Sequence, residues 1–228
     1  MLHLEKKEIS PTHMSPLGQA ISTRWHTLDG LVHGRICRDC NSGWLSAIEN
    51  TSKELLSCLI QGSFYGELTA NDCRNIATWA FKTCLVLNSA SNYTRKIPER
   101  HSRYLYTYQL PPSYLKIHLA QFRGDEPFYW VQGPIWIVSA PGQTPTEIER
   151  LTRRSYKITL QFRQLALRVC YWPKHDWPLF EQSDKPVSIW PDTPKQLTWP
   201  RSLLVGTNGL AELHLSPKVI FPEASYTG

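Results

Sequence analysis

Read at 100° per residue, the stretch that begins at Trp44 gathers Leu45, Ile48, Ser52, Leu55, Leu56 and Leu59 into one sector roughly 120° wide. Gly62 follows as a stop signal, so the pattern predicts an amphipathic helix over about 42–61. Thr69 then stands as a capping residue ahead of an amide- and acid-rich first turn, Asn71-Asp72. In the helix it opens, Cys73, Ile76, Ala77, Ala80, Cys84 and Leu87 share one side, while Asn71, Asn75, Thr78 and Lys82 point the other way. Lys82 is therefore expected at the surface or lining a cleft. Residues 97–108 make a third short helix with Pro98 in its first turn, and Pro111-Pro112 should end it.

Beyond Tyr114 the period changes from helical to alternating. Leu115, Ile117 and Leu119, then 128–131, 135–138, 156–162 and 165–172, all read as strands of an antiparallel sheet. The segment from Pro173 to Pro200 carries Trp-Pro at 172–173, 177–178, 190–191 and 199–200, which predicts ordered loop with few ladder bonds and tryptophans that close the edges of the core. Upstream, Pro11, Pro16, Gly18 and Gly30 leave the first thirty residues irregular or extended, and Leu31–Ile36 suits a short strand ending at Cys37. Helices first and strands later give an α+β class.

Composition narrows the function. The chain has 228 residues, 41% hydrophobic and 19% charged, which excludes disorder over its whole length and leaves ample material for a core. No apolar run reaches the ~20 residues of a membrane span, and Met1-Leu-His-Leu-Glu-Lys-Lys puts charges where a secretory signal needs its apolar centre. A cytoplasmic chain with reduced thiols is the expectation. Of six cysteines, Cys58, Cys73, Cys84 and Cys170 fall on or beside apolar faces and are expected as small core residues. The net charge of +6 favours a polyanionic partner, nucleic acid first. It has two places to act: Arg95, Lys96, Arg100, His101 and Arg103 among Tyr93, Tyr104, Tyr106 and Tyr108, and the stretch Arg150, Arg153, Arg154 and Lys157.

Candidate chemistry is densest between Trp25 and Glu49. Cys37-Arg-Asp-Cys40 at a strand-to-helix turn brings two sulfurs to one side of a tight loop, half of a tetrahedral zinc site that needs two more ligands, for which His26 and His33 are the candidates, or else two reduced thiols that hold no ion. Asn41, directly after the second cysteine, has an amide oxygen that can either bind a hard divalent ion or cap the helix.

The string Cys37-Arg-Asp-Cys40-Asn41-Ser-Gly43-Trp44-Leu45-Ser46-Ala-Ile48-Glu49 resembles the second half of the HNH endonuclease motif in its bacterial form, Cys-x-x-Cys-Asn-x-Gly-Trp. The resemblance extends to Trp79-Ala-Phe-Lys82-Thr83 and Ile97-Pro98, and covers residues 10 to 140. It implies a ββα-metal unit over 1–62, a small helical layer over 63–112 and a β-rich C-terminal region over 113–228. It implies hydrolysis of DNA phosphodiester bonds with Mg²⁺ or Mn²⁺, in phage defence or mobile-element biology, with structural zinc at the cysteines. The family's first-strand Glu-His-Val-Ile-Pro has its counterpart in Thr12-His13-Met14-Ser15-Pro16, which makes His13 the general base and Asn41 a metal ligand. Arg95, Lys96, Arg100, Arg103 and Lys82 become the nucleic-acid contacts. The chain departs from the pattern in three ways: Thr12 replaces an acid, no Asn lies between His13 and Cys37, and no cysteine precedes Cys37. These departures open a second reading, an HNH-like module that no longer cuts and binds nucleic acid, a protein or a second copy of itself.

Overall fold

The structure, a computed structural model, describes residues 8–9, 12–14, 20–23, 26–27, 36–90, 97–138, 144–174, 177–181, 186–200 and 203–220, with backbone pairing alone for those before 36. The first described elements are short: β1 (Glu8–Ile9), β2 (Thr12–Met14), β3 (Ala20–Thr23) and β4 (His26–Thr27), with β1 antiparallel to β4 and β2 antiparallel to β3. The strand expected over Leu31–Ile36 falls almost wholly outside the described residues.

The helix expected over 42–61 divides in two, α1 (Arg38–Ser42) and α2 (Trp44–Gln61), at Gly43. The glycine is required there, because a Cβ on Gly43 would lie 2.6 Å from the Asp39 carbonyl oxygen. Gly62 ends α2 as expected, in the left-handed conformation at φ 71°, with its N–H returned to the last turn. Strand β5 (Gly66–Thr69) leads into α3 (Ala70–Ala90). The Thr69 hydroxyl accepts the Asp72 N–H at 3.2 Å, and the Asp72 carboxylate accepts the Thr69 N–H at 2.9 Å, a reciprocal capping box. Cys73, Ile76, Ala77, Ala80, Cys84 and Leu87 of α3 are all buried. Next comes α4 (Glu99–Tyr108), with Pro98 at its N-cap; Gln109, left-handed at φ 52°, ends it before the two prolines are reached.

The remaining chain supplies β6 (Lys116–Arg123), β7 (Phe128–Gly133), β8 (Trp136–Val138), α5 (Pro145–Arg154), β9 (Tyr156–Phe162), β10 (Leu165–Tyr171), β11 (Leu179–Phe180), β12 (Val187–Trp190), β13 (Gln196–Trp199), β14 (Leu203–Val205), α6 (Gly206–Leu215) and β15 (Lys218–Ile220). The main sheet runs β12-β6-β10-β9-β7, antiparallel throughout, and β14 adds to β6 in parallel. The class is α+β, as the pattern predicts. Two helices, α5 and α6, are not signalled by it. The Trp-Pro segment is also more regular than expected: β12 bonds to β6 and β13 to β5. Its tryptophans do close the core, with Trp172, Trp177 and Trp199 buried and the Trp190 indole N–H donating to the Pro112 carbonyl at 2.9 Å.

Both faces of the central strands are covered. One face, with Ile158, Leu160, Leu167 and Val169, joins Leu56 and Leu59 of α2 and Ile76, Phe81 and Cys84 of α3 in a single apolar core. The other carries two apolar patches, Phe122 and Ala166 against Leu210 and Leu213 of α6, and Cys170 and Trp172 against Leu151 and Val219. Among the described residues no helix is long and apolar enough to cross a membrane.

Candidate functional site

The strand that carries His13 lies beside β3 with His13 opposite Ser22, and the register shifts between His13 and Met14. His26 lies on β4, opposite Ile9. The side chains of both histidines are outside the described residues, as are His33, Arg95 and Lys96 entirely.

The turn that follows is built around Cys37. Its backbone is extended and its carbonyl accepts the Asn41 N–H at 3.0 Å, so that the cysteine itself caps α1. The Cys40 amide donates to Cys37 Sγ at 3.3 Å. Hydrogen bonding from Cys40, through its thiol and then its amide, holds the Cys37 thiol below its ordinary pKa, and the same thiol contact raises Cys40. A sulfur that accepts an amide N–H is prepared to carry negative charge, which is what a zinc ligand must do. Cys37 is exposed and Cys40 half-buried. Among the described residues no third His, Cys, Asp or Glu joins them in a metal-holding group.

Asn41 does not cap the helix, since that role falls to Cys37. Its side chain is exposed and makes no hydrogen bond among the described residues, so the amide oxygen that could serve a hard cation is uncommitted. Trp44, three residues on, packs against the core and meets the exposed Tyr106 of α4 edge-on at 5.6 Å. Tyr104 and Tyr108, 4.4 Å apart, stand on the opposite side of α4 from Tyr106, so only Tyr106 meets the helix that follows the cysteine turn.

Several basic residues are placed otherwise than the sequence suggests. Lys82 is neither at the surface nor on an open cleft: it is buried and pairs with Glu49 of α2. Glu49, the last residue of the Cys37–Glu49 string, and Lys82 therefore join α2 to α3. Periodicity misplaces Lys82 because a long side chain on the polar side of α3 can still reach a carboxylate on the neighbouring helix. Arg103 is exposed and paired with Glu99 at 2.7 Å. Arg100 donates to the Tyr171 hydroxyl at 2.5 Å with its guanidinium over that ring. His101, expected in the basic surface, is fully buried among Tyr114, Tyr156 and Tyr171, with Nδ1 2.9 Å from the Tyr156 hydroxyl. Burial, and then the charge of Arg100, push its pKa down to about 4. In the second stretch Arg150, Arg153 and Arg154 are exposed on α5, but Lys157 is buried. Cys58 is exposed, against the expectation of a core residue, while Cys73, Cys84 and Cys170 are buried as expected.

A cluster that sequence reasoning missed lies under α6: His118, Lys157, Thr159, Arg168 and His214, all buried. Its signal is present as alternation, polar Lys157, Thr159 and Gln161 between apolar neighbours. Alternation alone reads as a solvent face, and only the unforeseen α6 turns that face into interior.

Comparison of the chain with protein-family models, with curated proteins and with solved structures gives no match.

Proposed function

We propose that the chain is an HNH-like, metal-dependent nuclease that hydrolyses DNA phosphodiester bonds. One observation carries the reading: an antiparallel strand pair bearing His13 precedes a turn in which Cys37 accepts the Cys40 amide and leaves Asn41 exposed and uncommitted. His13 accepts the proton of the attacking water, a task suited to an imidazole with an ordinary pKa of about 6.5. Asn41 supplies a neutral oxygen donor of the kind Mg²⁺ or Mn²⁺ takes. When bound, such an ion polarises the scissile phosphate and offsets charge on the leaving oxygen. Cys37 and Cys40 fix the turn, with Zn²⁺ as their ion, and His26 and His33 are the candidates to complete its shell. Arg95, Lys96, Arg100 and Arg103 meet the phosphate backbone, and the tyrosines of α4 offer stacking faces.

The test is incubation of the purified chain with plasmid DNA and Mg²⁺ or Mn²⁺, beside His13→Ala and Asn41→Ala. Loss of a general base costs about 10²–10⁴ in rate, so both variants should leave the plasmid intact over the time in which the unsubstituted chain converts it, while DNA binding persists. Cleavage that survives both substitutions would sink the site assignment. Binding without cleavage by the unsubstituted chain would favour the non-cutting module, which Thr12 and the internal pairing of Arg103 and Lys82 also favour.

A further inference from the structure

The main sheet carries a band of charge where a covered face should be apolar. The register aligns Thr159, Arg168, His118 and Ser188 in one row across β9, β10, β6 and β12, and Gly133, Lys157 and Cys170 in the next. Residues directly opposite in antiparallel strands point to the same side. The charged residues of this band lie between the two apolar patches, the second of which begins at Cys170. Over it lie His214, whose Nδ1 is 3.0 Å from the Thr159 hydroxyl, and Ser216, whose hydroxyl is 3.2 Å from an Arg168 nitrogen. His214 Nε2 also lies 3.5 Å from where a Cβ on Gly133 would be, and Gly133 is the register partner of Lys157.

The charges in this band do not balance. Arg168, fully buried, donates to the Leu213 carbonyl at 2.7 Å and pairs with one oxygen of Glu181. His118 faces the same oxygen at 3.5 Å, and its burial, then the charges of Arg168 and Lys116, keep it neutral. His214 is neutral too, pushed down to about 3 by burial and then by Lys157 and Arg168. That leaves Lys157, 1% exposed, whose Nζ makes no hydrogen bond among the described residues, and Arg168 Nε, likewise without a partner among them; on the acceptor side the second oxygen of Glu181 is also buried without a hydrogen bond. Lys116, on the adjacent strand, is answered by Asp192 at 2.8 Å. Among the described residues two buried cations therefore face one carboxylate. An unpaired ammonium out of water is costly. Burial lowers Lys157 only to about 8, so near neutral pH it still carries its charge.

We propose that this band is a binding site for a small oxyanion, held by Lys157 Nζ and Arg168 Nε between β9, β10 and α6. An oxyanion supplies one negative charge and acceptors for Lys157 Nζ and Arg168 Nε, which have none among the described residues; the free oxygen of Glu181 belongs to a carboxylate already paired with Arg168, so the described charges still sum to a net positive site. The proposal is independent of the nuclease reading, because it draws on no residue of the Cys37–Asn41 turn.

The experiment follows thermal unfolding of the full chain, dialysed into chloride buffer at pH 7, as inorganic phosphate or acetate replaces chloride at constant ionic strength. One of the two anions, or both, should raise Tm saturably, by about 5 °C at a hundredfold excess over Kd; phosphate alone marks a tetrahedral oxyanion and acetate a carboxylate. The rise should vanish in Lys157→Met and persist in Arg153→Met, which removes an exposed cation and its surface pairing with Glu149, away from the band. No rise with either anion overturns the proposal. So does a rise that survives in Lys157→Met, the signature of general salt exclusion. Should Lys157→Met not fold, calorimetric titration of the unsubstituted chain with each anion decides, and the absence of saturable heat from both overturns it.

Discussion

Gly43, Cys37 and His101 show how single atoms set the behaviour of this chain. A side chain at position 43 would strike the Asp39 carbonyl, so the glycine of the Cys-x-x-Cys-Asn-x-Gly-Trp string is a steric requirement of the turn between α1 and α2. At Cys37 the hydrogen bonds from Cys40 favour the thiolate, the form that alkylates. Iodoacetamide should therefore modify Cys37 several-fold faster than Cys58, which is also exposed, and Zn²⁺ should protect Cys37 and Cys40 but not Cys58. Equal rates with and without Zn²⁺, read by peptide mass, would contradict a zinc role. Buried histidines make stability depend on pH in a defined direction. In the unfolded chain an imidazole takes a proton near pH 6.5, in the fold His101 does so at about 4 and His214 at about 3. Between those values the unfolded state binds more protons, so stability is full above pH 6.5 and declines as pH falls through this window. His101→Phe, which gives up a hydrogen bond to Tyr156 worth about 1 kcal/mol, should flatten the fall of Tm between pH 6.5 and 4. An unchanged slope would remove His101 from the account.

Among the elements, those with a local signal are the ones the sequence discloses. The Thr69–Asp72 box and the apolar side of α3 are both readable, and the structure joins them into one helix that anchors the core. Thr69→Ala should cost about 1 kcal/mol, seen as a lower urea midpoint with unchanged slope; an effect within error would mean that packing of α3 makes the cap redundant. Strands β9 and β10 form over the predicted ranges to within a residue, because bulky residues alternate there without interruption. What stays hidden depends on partners distant in sequence. Helix α6 starts at Gly206 and contains Gly209, and neither residue advertises a helix; it forms over Phe122 and Ala166, a surface that exists only once the sheet has closed. The candidate site divides in the same way. Cys37, Cys40 and Asn41 are legible because their chemistry is local, whereas the pairing of Lys82 with Glu49 and the burial of Lys157 are tertiary facts.

At the scale of the molecule, one apolar core draws on α2, α3, α4, the main sheet and β13, and the turn at Cys37–Asn41 leads directly into α2 of that packed layer. Glu49 and Lys82 join α2 to α3 within that layer, and Trp44 connects it to Tyr106 of α4. Lys82→Ala should accordingly lower stability and leave the salt dependence of DNA binding unchanged. Arg100→Ala with Arg103→Ala should instead make the slope of log K against log salt shallower, by roughly 0.9 for each phosphate the chain no longer neutralises. A slope altered by Lys82→Ala at unchanged stability would reverse these roles. The central claim is that this layer presents a metal-dependent hydrolytic site. Its most direct test is a time course of supercoiled plasmid with the purified chain in EDTA and in Mg²⁺ or Mn²⁺, with Asn41→Ala alongside. The account predicts nicked and then linear DNA only with the unsubstituted chain and a divalent ion; plasmid left intact by that chain with both ions, or cut equally well by Asn41→Ala, contradicts it.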